Sequence, residues 1–355
     1  MPIHQSHEFF IQWHLTERCN LRCIHCYQME SNMDELSLFE AKEVVSEVSE
    51  MIEAWSDAYD ISFSPSFNVT GGEPFLRADL FDILSEISSK GFEIYLLTNG
   101  ILVTQERAKR LHGLSVRGVQ VSIEGPEKIH ERIRGKGSFS SSLEGVEHLL
   151  DAGLRVTLNV TLSDINVPFF IEIVRLASSL GVQRLGFSRL VPSGRGAGLL
   201  DHMLPKAEVK ELYERISSLQ VDGLEIVTGD PVASQIPFAS EPEDMGSVPL
   251  GGCAAGTSGL TLLPDGTITP CRRLHIPIGN VRSDSLREVW SRSEVLWQFR
   301  DRKSYKGKCG TCKRWATCRG CRAIAYARSG ETDFLAEDPQ CFIEAGEQSP
   351  ATSPK

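Results

Sequence analysis

The stretch Phe9–Gln28, FFIQWHLTERCNLRCIHCYQ, joins a short apolar run to three cysteines spaced C-x3-C-x2-C, namely Cys19, Cys23 and Cys26. The run Phe9–Leu15 is rich in aromatic and branched residues and reads as a strand that delivers the cysteine loop at its C-terminal end. Three thiolates this close together do not complete a tetrahedral four-ligand site. On a 4Fe-4S cluster they leave one iron without a protein ligand and open to chemistry. A disulfide, a zinc site recruiting His25, and reactive thiols are the other readings of the triplet. Disulfide frameworks belong mostly to small secreted chains, whereas this chain has 355 residues and no apolar leader after Met1.

Outward from this stretch comes an amphipathic helical segment at Leu38–Trp55, then SFNVTGGEP (residues 66–74), a strand running into Gly71, Gly72, Glu73 and Pro74. Read alone, GGEP is a turn. Further strands are predicted at Ile94–Thr98, Val119–Ile123, Val156–Thr161 and Arg184–Leu190, and helices at Arg77–Lys90, Thr104–Leu111, Phe139–Ala152 and Val167–Leu180. That makes six βα units, fewer than the eight that close a TIM barrel, so the expected fold is α/β: an open, partial (β/α)6 TIM-like barrel. Its ligand-binding residues belong at the strand C-terminal ends, where Thr98, Asn99, Ser122, Glu124, Asn159 and Arg189 collect. Each of these, taken singly, also suits an ordinary turn or cap.

Seven more cysteines follow residue 250. Cys253 precedes a predicted hairpin, LTLLPDGTITPC, that ends on Cys271; then come Cys309-x2-Cys312-x5-Cys318-x2-Cys321, and finally Cys341. Paired C-x2-C units suggest a zinc ribbon, but ribbon knuckles are normally separated by roughly fifteen to twenty residues. Here the gap is five. Two 4Fe-4S clusters ligated only by cysteine need eight thiolates, and this region supplies seven, so one position is non-cysteine or vacant.

With the triplet after the first strand and GGE after the second, the chain resembles the radical SAM superfamily over nearly its whole length. The seven-cysteine region resembles the SPASM domain found on family members that modify peptides, proteins and some cofactors. The resemblance implies that Cys19, Cys23 and Cys26 hold a 4Fe-4S cluster whose open iron is chelated by S-adenosylmethionine through its amino nitrogen and carboxylate. An electron then cleaves a carbon–sulfur bond, giving methionine and a 5′-deoxyadenosyl radical. It also implies that Gly71 and Gly72 let backbone approach the ligand and that Glu73 helps orient the amine. Thr98, Asn99 and Asn159 would belong to the same pocket. Ser122 and Arg134, in HERIRGKGSF, would face the methionine carboxylate or ribose, and His25 and Tyr27 would pack around the adenine. The family more often has Asp where this chain has Glu124. By position, Cys309, Cys312, Cys318 and Cys341 would hold an outer auxiliary cluster, with Cys253, Cys271 and Cys321 holding an inner one incompletely; the expectation is thus one or two auxiliary clusters. One spacing departs from the common pattern: Cys318 and Cys321 are separated by two residues where three are usual, a variant that also appears in relatives acting on tetrapyrroles.

The expected organisation is a barrel over 1–200, a bridging region over 201–250, a SPASM domain over 251–345 and a disordered tail over 346–355. The glycine-rich loop Pro192–Gly198 lacks a GK[ST] ending and connects the last barrel strand to the bridge. Apolar residues make up 41% of the chain, enough for a sizeable core, and none forms a run of the roughly eighteen needed for a membrane span. Net charge is −10, yet Arg300–Arg328 carries +9, leaving −19 elsewhere. In a cysteine-rich segment that run reads first as neutralising thiolate-ligated clusters, with an acidic peptide leader as a further possibility; no nucleic-acid reader fold accompanies it. Oxygen-labile clusters and the lack of a signal segment lead us to expect a reducing cytoplasm and no membrane.

The leading expectation is hydrogen abstraction from a ribosomally made precursor peptide, ending in oxidation, a thioether or another cross-link. The expected electron donor is low-potential, a flavodoxin or ferredoxin. The chain starts a few residues before the first strand, so no N-terminal leader-gripping module is expected, and leader recognition would fall to the barrel, the SPASM region or a separate leader-binding protein. Alternatives are tetrapyrrole side-chain decarboxylation, as in alternative haem synthesis, which RGCRAIAYA (319–327) and AEDPQC (336–341) support; sulfatase maturation; and, without enzymatic activity, an iron–sulfur electron carrier. A carrier has no use for an open iron or for Gly71, Gly72 and Glu73.

Overall fold

Phe9, Ile11 and Trp13 alternate along β1 (His7–His14) and are buried, as are Phe67 and Val69 on the adjacent β2 (Phe63–Thr70). The two strands pair in parallel with Trp13 opposite Val69 and His14 opposite Thr70, so the cysteine loop and the GGE turn leave the sheet side by side. In the computed structural model, which describes residues 7–29, 34–236 and 246–343, the parallel series continues through β3 (Glu93–Thr98), β4 (Gly118–Ser122), β5 (Val156–Leu162) and β6 (Arg184–Arg189).

The described sheet has ten strands, not six. A seventh parallel strand, β7 (Glu225–Thr228), extends it beyond β6 from within the expected bridging region. At the other edge β8 (Gly259–Leu262) pairs in parallel with β1, and β9 (Thr267–Thr269) and β10 (Gly279–Asn280) follow antiparallel. The PDG hairpin is therefore present, and it is an extension of the barrel sheet. Strand pairing thus crosses the expected boundaries at 200 and 250, and one apolar core runs from Phe9 and Leu158 to Phe299, Trp315 and Ile324. The expected tail at 346–355 lies outside the described residues.

Helices fill the crossovers, as right-handed βαβ connections require. In α1 (Leu38–Tyr59), Ser37 and Glu40 form a reciprocal capping box, and Ala41, Val44, Val45, Val48 and Met51 face the core. It runs one turn beyond the expected Trp55. The second crossover helix, α2 (Leu80–Ser89), begins later than the expected Arg77, because Pro74–Leu76 forms a separate 3-10 turn and Arg77 is extended. After α3 (Gln105–Gly113) comes an unexpected helix, α4 (Glu127–Arg134), set between Pro126 and Gly135 and carrying Arg134 in its last turn. Helices α5 (Ser138–Asp151) and α6 (Phe170–Ser179) match the expected segments within three residues.

Candidate functional site

The cysteine loop and the GGE turn are bonded backbone to backbone. Leu15 N–H donates to the Thr70 carbonyl at 2.9 Å, Gly72 N–H to Thr16 at 2.7 Å and Glu73 N–H to Arg18 at 2.8 Å. A Cβ on Gly71, whose φ is +150°, would lie 2.5 Å from the Thr16 carbonyl oxygen, and one on Gly72 would lie 2.2 Å from that of Arg18. The two glycines therefore serve the close approach of these loops to one another, besides the approach to a ligand that the sequence suggests.

Glu73 turns away from the opening. Fully buried, its carboxylate accepts from the Thr98 hydroxyl at 2.9 Å, from Asn99 N–H at 2.9 Å and from Phe75 N–H at 3.2 Å. Burial raises its pKa to about 6 in spite of these donors. These bonds make the Glu73 side chain a clamp fixing the GGE turn to the end of β3, and the Thr98 hydroxyl is part of that clamp.

Cys19, Cys23 and Cys26 open on one cavity containing about 910 Å³ of atom-free space, part of it open to solvent. The other expected residues, His25, Tyr27, Gly71, Gly72, Thr98, Asn99, Ser122, Arg134 and Asn159, line the same cavity; Glu73 does not. Asn99 donates from its amide to Asn20 Oδ1 at 2.8 Å and so braces the first cysteine's neighbour.

The charge around Cys23 is organised by Glu124. Arg134 donates from Nε and Nη2 to Glu124 Oε1 at 2.9 and 2.5 Å, and its Nη1 stands 3.7 Å from Cys23 Sγ. Thr161 N–H reaches Glu124 Oε2 at 2.8 Å, and His25 Nε2 lies 3.2 Å from Oε1. Burial works to raise the Glu124 pKa, but Arg134 and then His25 outweigh it and hold the carboxyl well below the usual range. His25 Nδ1 is buried with no hydrogen-bond partner among the described residues. The Tyr27 ring lies 5.9 Å from that of His14, with the Arg272 and Arg273 guanidiniums 5.8 and 6.0 Å from its centroid.

These features suit an anionic thiolate-bound cluster and the carboxylate of its ligand. Among the described residues five arginines (Arg134, Arg189, Arg195, Arg272 and Arg273) line the cavity and no acid does. Among the described residues no three His, Cys, Asp or Glu side chains gather on a single-ion position.

Cys253, Cys271 and Cys321 line a second cavity of about 1100 Å³, likewise partly open, which shares Gln120, Asn159, Arg189, Arg272 and Arg273 with the first. The other thiols are drawn together apart from it. Gln235 donates from Nε2 toward Cys318 Sγ at 3.4 Å and Cys341 Sγ at 3.5 Å, and Arg322 lies 3.8 Å from Cys309 Sγ. Between the two groups Arg189 is fully buried and paired twice, with Asp230 at 2.6 and 2.8 Å and Asp338 at 2.8 and 3.1 Å; Gln340 also accepts from it at 2.8 Å. Asp338 in turn accepts from Cys321 N–H at 2.8 Å. Much of the basic run is spent on loop carbonyls: Arg302 on Gly310 and Cys312, Arg314 on Ser234, Arg319 on Ala316 and Cys253, and Arg322 on Phe334 and Ala336. Sequence reasoning missed Gln235, and it met Asp338 and Gln340 only inside AEDPQC, without assigning them a role. It also passed over Arg272 and Arg273, although two consecutive arginines directly after Cys271 were a visible signal.

Among the described residues no helix is long and apolar enough to cross a membrane. Residues 13–177 match the model of the radical SAM superfamily and residues 253–322 that of an iron–sulfur cluster-binding domain, SPASM. Similar proteins include an AdoMet-dependent heme synthase of Nitratidesulfovibrio vulgaris, 32% identical across 96% of this chain and 94% of its own. A mycofactocin maturase, MftC, of Mycobacterium tuberculosis is 30% identical across 96% and 84%. The fold is similar to that of Streptococcus suis SuiB bound to precursor peptide SuiA, with TM-score 0.74 and 16% identity over 95% of this chain and 76% of that one. It is also similar to anSMEcpe with bound AdoMet, with TM-score 0.70 and 19% identity over 94% and 93%. Relatives of this kind are enzymes, which sets the electron-carrier reading aside. The chain belongs to the radical SAM superfamily, as an enzyme that binds a 4Fe-4S cluster and S-adenosylmethionine and carries a C-terminal SPASM iron–sulfur domain.

Proposed function

We propose that this enzyme decarboxylates the side chains of a tetrapyrrole. A hydrogen atom is taken from the carbon β to a carboxylate, the carboxylate leaves as carbon dioxide, an alkene remains, and Cys253, Cys271 and Cys321 would hold the group that accepts the surplus electron. Cys19, Cys23 and Cys26 would hold the cluster, which with S-adenosylmethionine would supply the 5′-deoxyadenosyl radical for that hydrogen; a flavodoxin or ferredoxin would provide the electron. The observation that carries this reading is the wall common to the two cavities: a substrate resting on Gln120 and Asn159 faces both cysteine sets. Combined, the cavities have room for a large substrate. Likeness to heme synthases over nearly the whole chain favours a tetrapyrrole.

Peptide modification is the second reading, favoured by likeness to mycofactocin maturases across 93–96% of this chain. It keeps the same cavities and replaces the substrate, with a precursor peptide and a separate leader-binding protein as partners.

The test is anaerobic reconstitution with iron and sulfide, then reduction in the presence of S-adenosylmethionine and iron-coproporphyrin III. A variant with Cys19, Cys23 and Cys26 all changed to Ala runs alongside. Equal amounts of 5′-deoxyadenosine and carbon dioxide, from the intact enzyme only, are expected. Deoxyadenosine without loss of carboxylate sinks the tetrapyrrole reading and moves the assay to peptides encoded beside the gene.

A further inference from the structure

Among the described residues six arginines line the two cavities together, against one acid, Asp230. Most of these cations are answered. Arg134 is paired with Glu124, Arg189 with Asp230 and Asp338, and Arg322 bonds the Ala336 carbonyl at 2.7 Å and approaches Cys309. Arg195 donates to the Cys23 carbonyl at 3.2 Å. Asp230 itself is taken, accepting from both Arg189 and the Tyr213 hydroxyl.

Arg272 and Arg273 differ. Among the described residues neither forms an ion pair, and their polar contacts are with neutral groups: Arg272 Nη1 with Gln12 Oε1 at 3.5 Å and Arg273 Nη2 with Ser188 Oγ at 3.0 Å. Both guanidiniums lie about one cation–π distance from the Tyr27 ring, and both line each cavity. Two like charges side by side in a partly desolvated wall repel one another, and an anion between them relieves that repulsion. Planar guanidiniums suit a carboxylate, because each presents a fork of donors that matches its two oxygens.

We propose that Arg272 and Arg273 form a carboxylate-binding site in the wall between the radical cavity and the cavity of Cys253, Cys271 and Cys321, gripping an acidic group of the substrate. The site rests on the function proposed above only in requiring a carboxylated substrate. Gln12 and Ser188 aim the two forks, and Tyr27 supports their planes. A carboxylate held there leaves the carbons beside it exposed to both cysteine sets. The competing role for the pair is compensation of thiolate charge at Cys271, next to them in sequence.

Equilibrium binding tests this without turnover. Cluster-loaded protein, free of S-adenosylmethionine and reductant, is titrated with coproporphyrin III and with its tetramethyl ester, followed by porphyrin absorbance. A second arm uses an acidic peptide and its fully amidated form. R272Q and R273Q are each expected to weaken carboxylate binding by about tenfold and the double variant by about a hundredfold, with ester or amide binding unchanged. R272K/R273K should retain part of the affinity, since it keeps the charge and loses the fork. Should the double variant fail to load clusters, the single variants and the lysine pair carry the test. Undiminished carboxylate affinity in these variants, with or without a shift in the inner cluster's potential, overturns the proposal. If wild-type protein binds the acidic peptide through both arginines and ignores the porphyrin, the clamp stands and the tetrapyrrole reading falls.

Discussion

Arg134 and Glu124 form a buried ion pair in which two guanidinium nitrogens converge on a single carboxylate oxygen, leaving the third, Nη1, 3.7 Å from Cys23 Sγ. The carboxylate thus aims a cation at a thiol of the first cysteine set. Hydrogen bonds and positive charge at a cluster's sulfurs stabilise its reduced, more negative state. R134Q is therefore expected to lower the potential of the S-adenosylmethionine-responsive cluster by on the order of 60 mV, equivalent to about 1.4 kcal/mol for one electron. R134Q/E124Q should recover part of this, because it also removes the stranded carboxylate. EPR-monitored redox titration reads the shift; equal potentials in all three proteins would falsify the arrangement.

Two buried carboxylates in this site respond to pH in opposite senses. Glu73, raised to about 6 chiefly by burial, holds its proton more tightly folded than unfolded. Its contribution is full below the unfolded value near 4.5 and is lost as pH rises through about 6, a swing of about 2 kcal/mol. Glu124, held low by Arg134 and His25, contributes stability at neutral pH that is lost as pH falls through and below the ordinary carboxylate range. Relative to wild type, E73Q should therefore gain in melting temperature as pH rises from 5 to about 7. E124Q should be less stable than wild type throughout that range, by about 3 kcal/mol, since it strands a buried guanidinium. Parallel pH profiles for wild type and E73Q would show that Glu73 titrates normally.

Gln235 reaches two thiols, those of Cys318 and Cys341, and its Oε1 also accepts from Phe342 N–H at 3.1 Å. It ties residues from three distant segments. Q235L removes the donor and leaves a buried N–H unpaired, while Q235E puts an acid beside two thiolates. Outer-cluster potential and iron retention should fall in the order wild type, Q235L, Q235E, as followed by redox titration and iron content after gel filtration. A Q235E protein indistinguishable from wild type would mean that the amide does not touch the cluster ligands.

What the sequence disclosed was local. The apolar run into Cys19, the GGEP turn and the strand–helix alternation each lie within a few tens of residues, so period and punctuation reveal them. The four residues of β7 are too short to show a period, and the pairing of β8 with β1 joins segments some 250 residues apart. No pattern announces such a contact. Glu73 was found by motif, but its direction depends on Thr98 and Asn99 on another strand. Likewise Asp338 and Gln340, noticed within AEDPQC as a family mark, turn out to meet Arg189 about 150 residues earlier. Identity was legible where chemistry follows chain order, and partnership was hidden where it follows the fold.

The tight seam between the cysteine loop and the GGE turn supplies a last prediction. At Gly72 the nearest atoms to an added Cβ are the Arg18 carbonyl oxygen at 2.2 Å, the Arg18 carbonyl carbon at 2.6 Å and the Glu17 carbonyl oxygen at 2.6 Å. All are backbone, so no rotamer change relieves the clash, and the loops must part. Parting them breaks the Gly72–Thr16 and Glu73–Arg18 hydrogen bonds that set the cysteine loop in place. G72A should cost about 1–3 kcal/mol and release the first cluster, because three thiolates that are no longer held at their spacing lose the advantage of preorganisation. The auxiliary clusters, anchored elsewhere, should remain. Gly113, with nothing within 4 Å of its added Cβ, is the control: G113A should leave every cluster in place. Iron content together with the S-adenosylmethionine-induced change in the EPR spectrum separates the two sites. A G72A protein that keeps that change would show the seam to have enough slack for a methyl group, and the two glycines would then be needed for the ligand's approach alone.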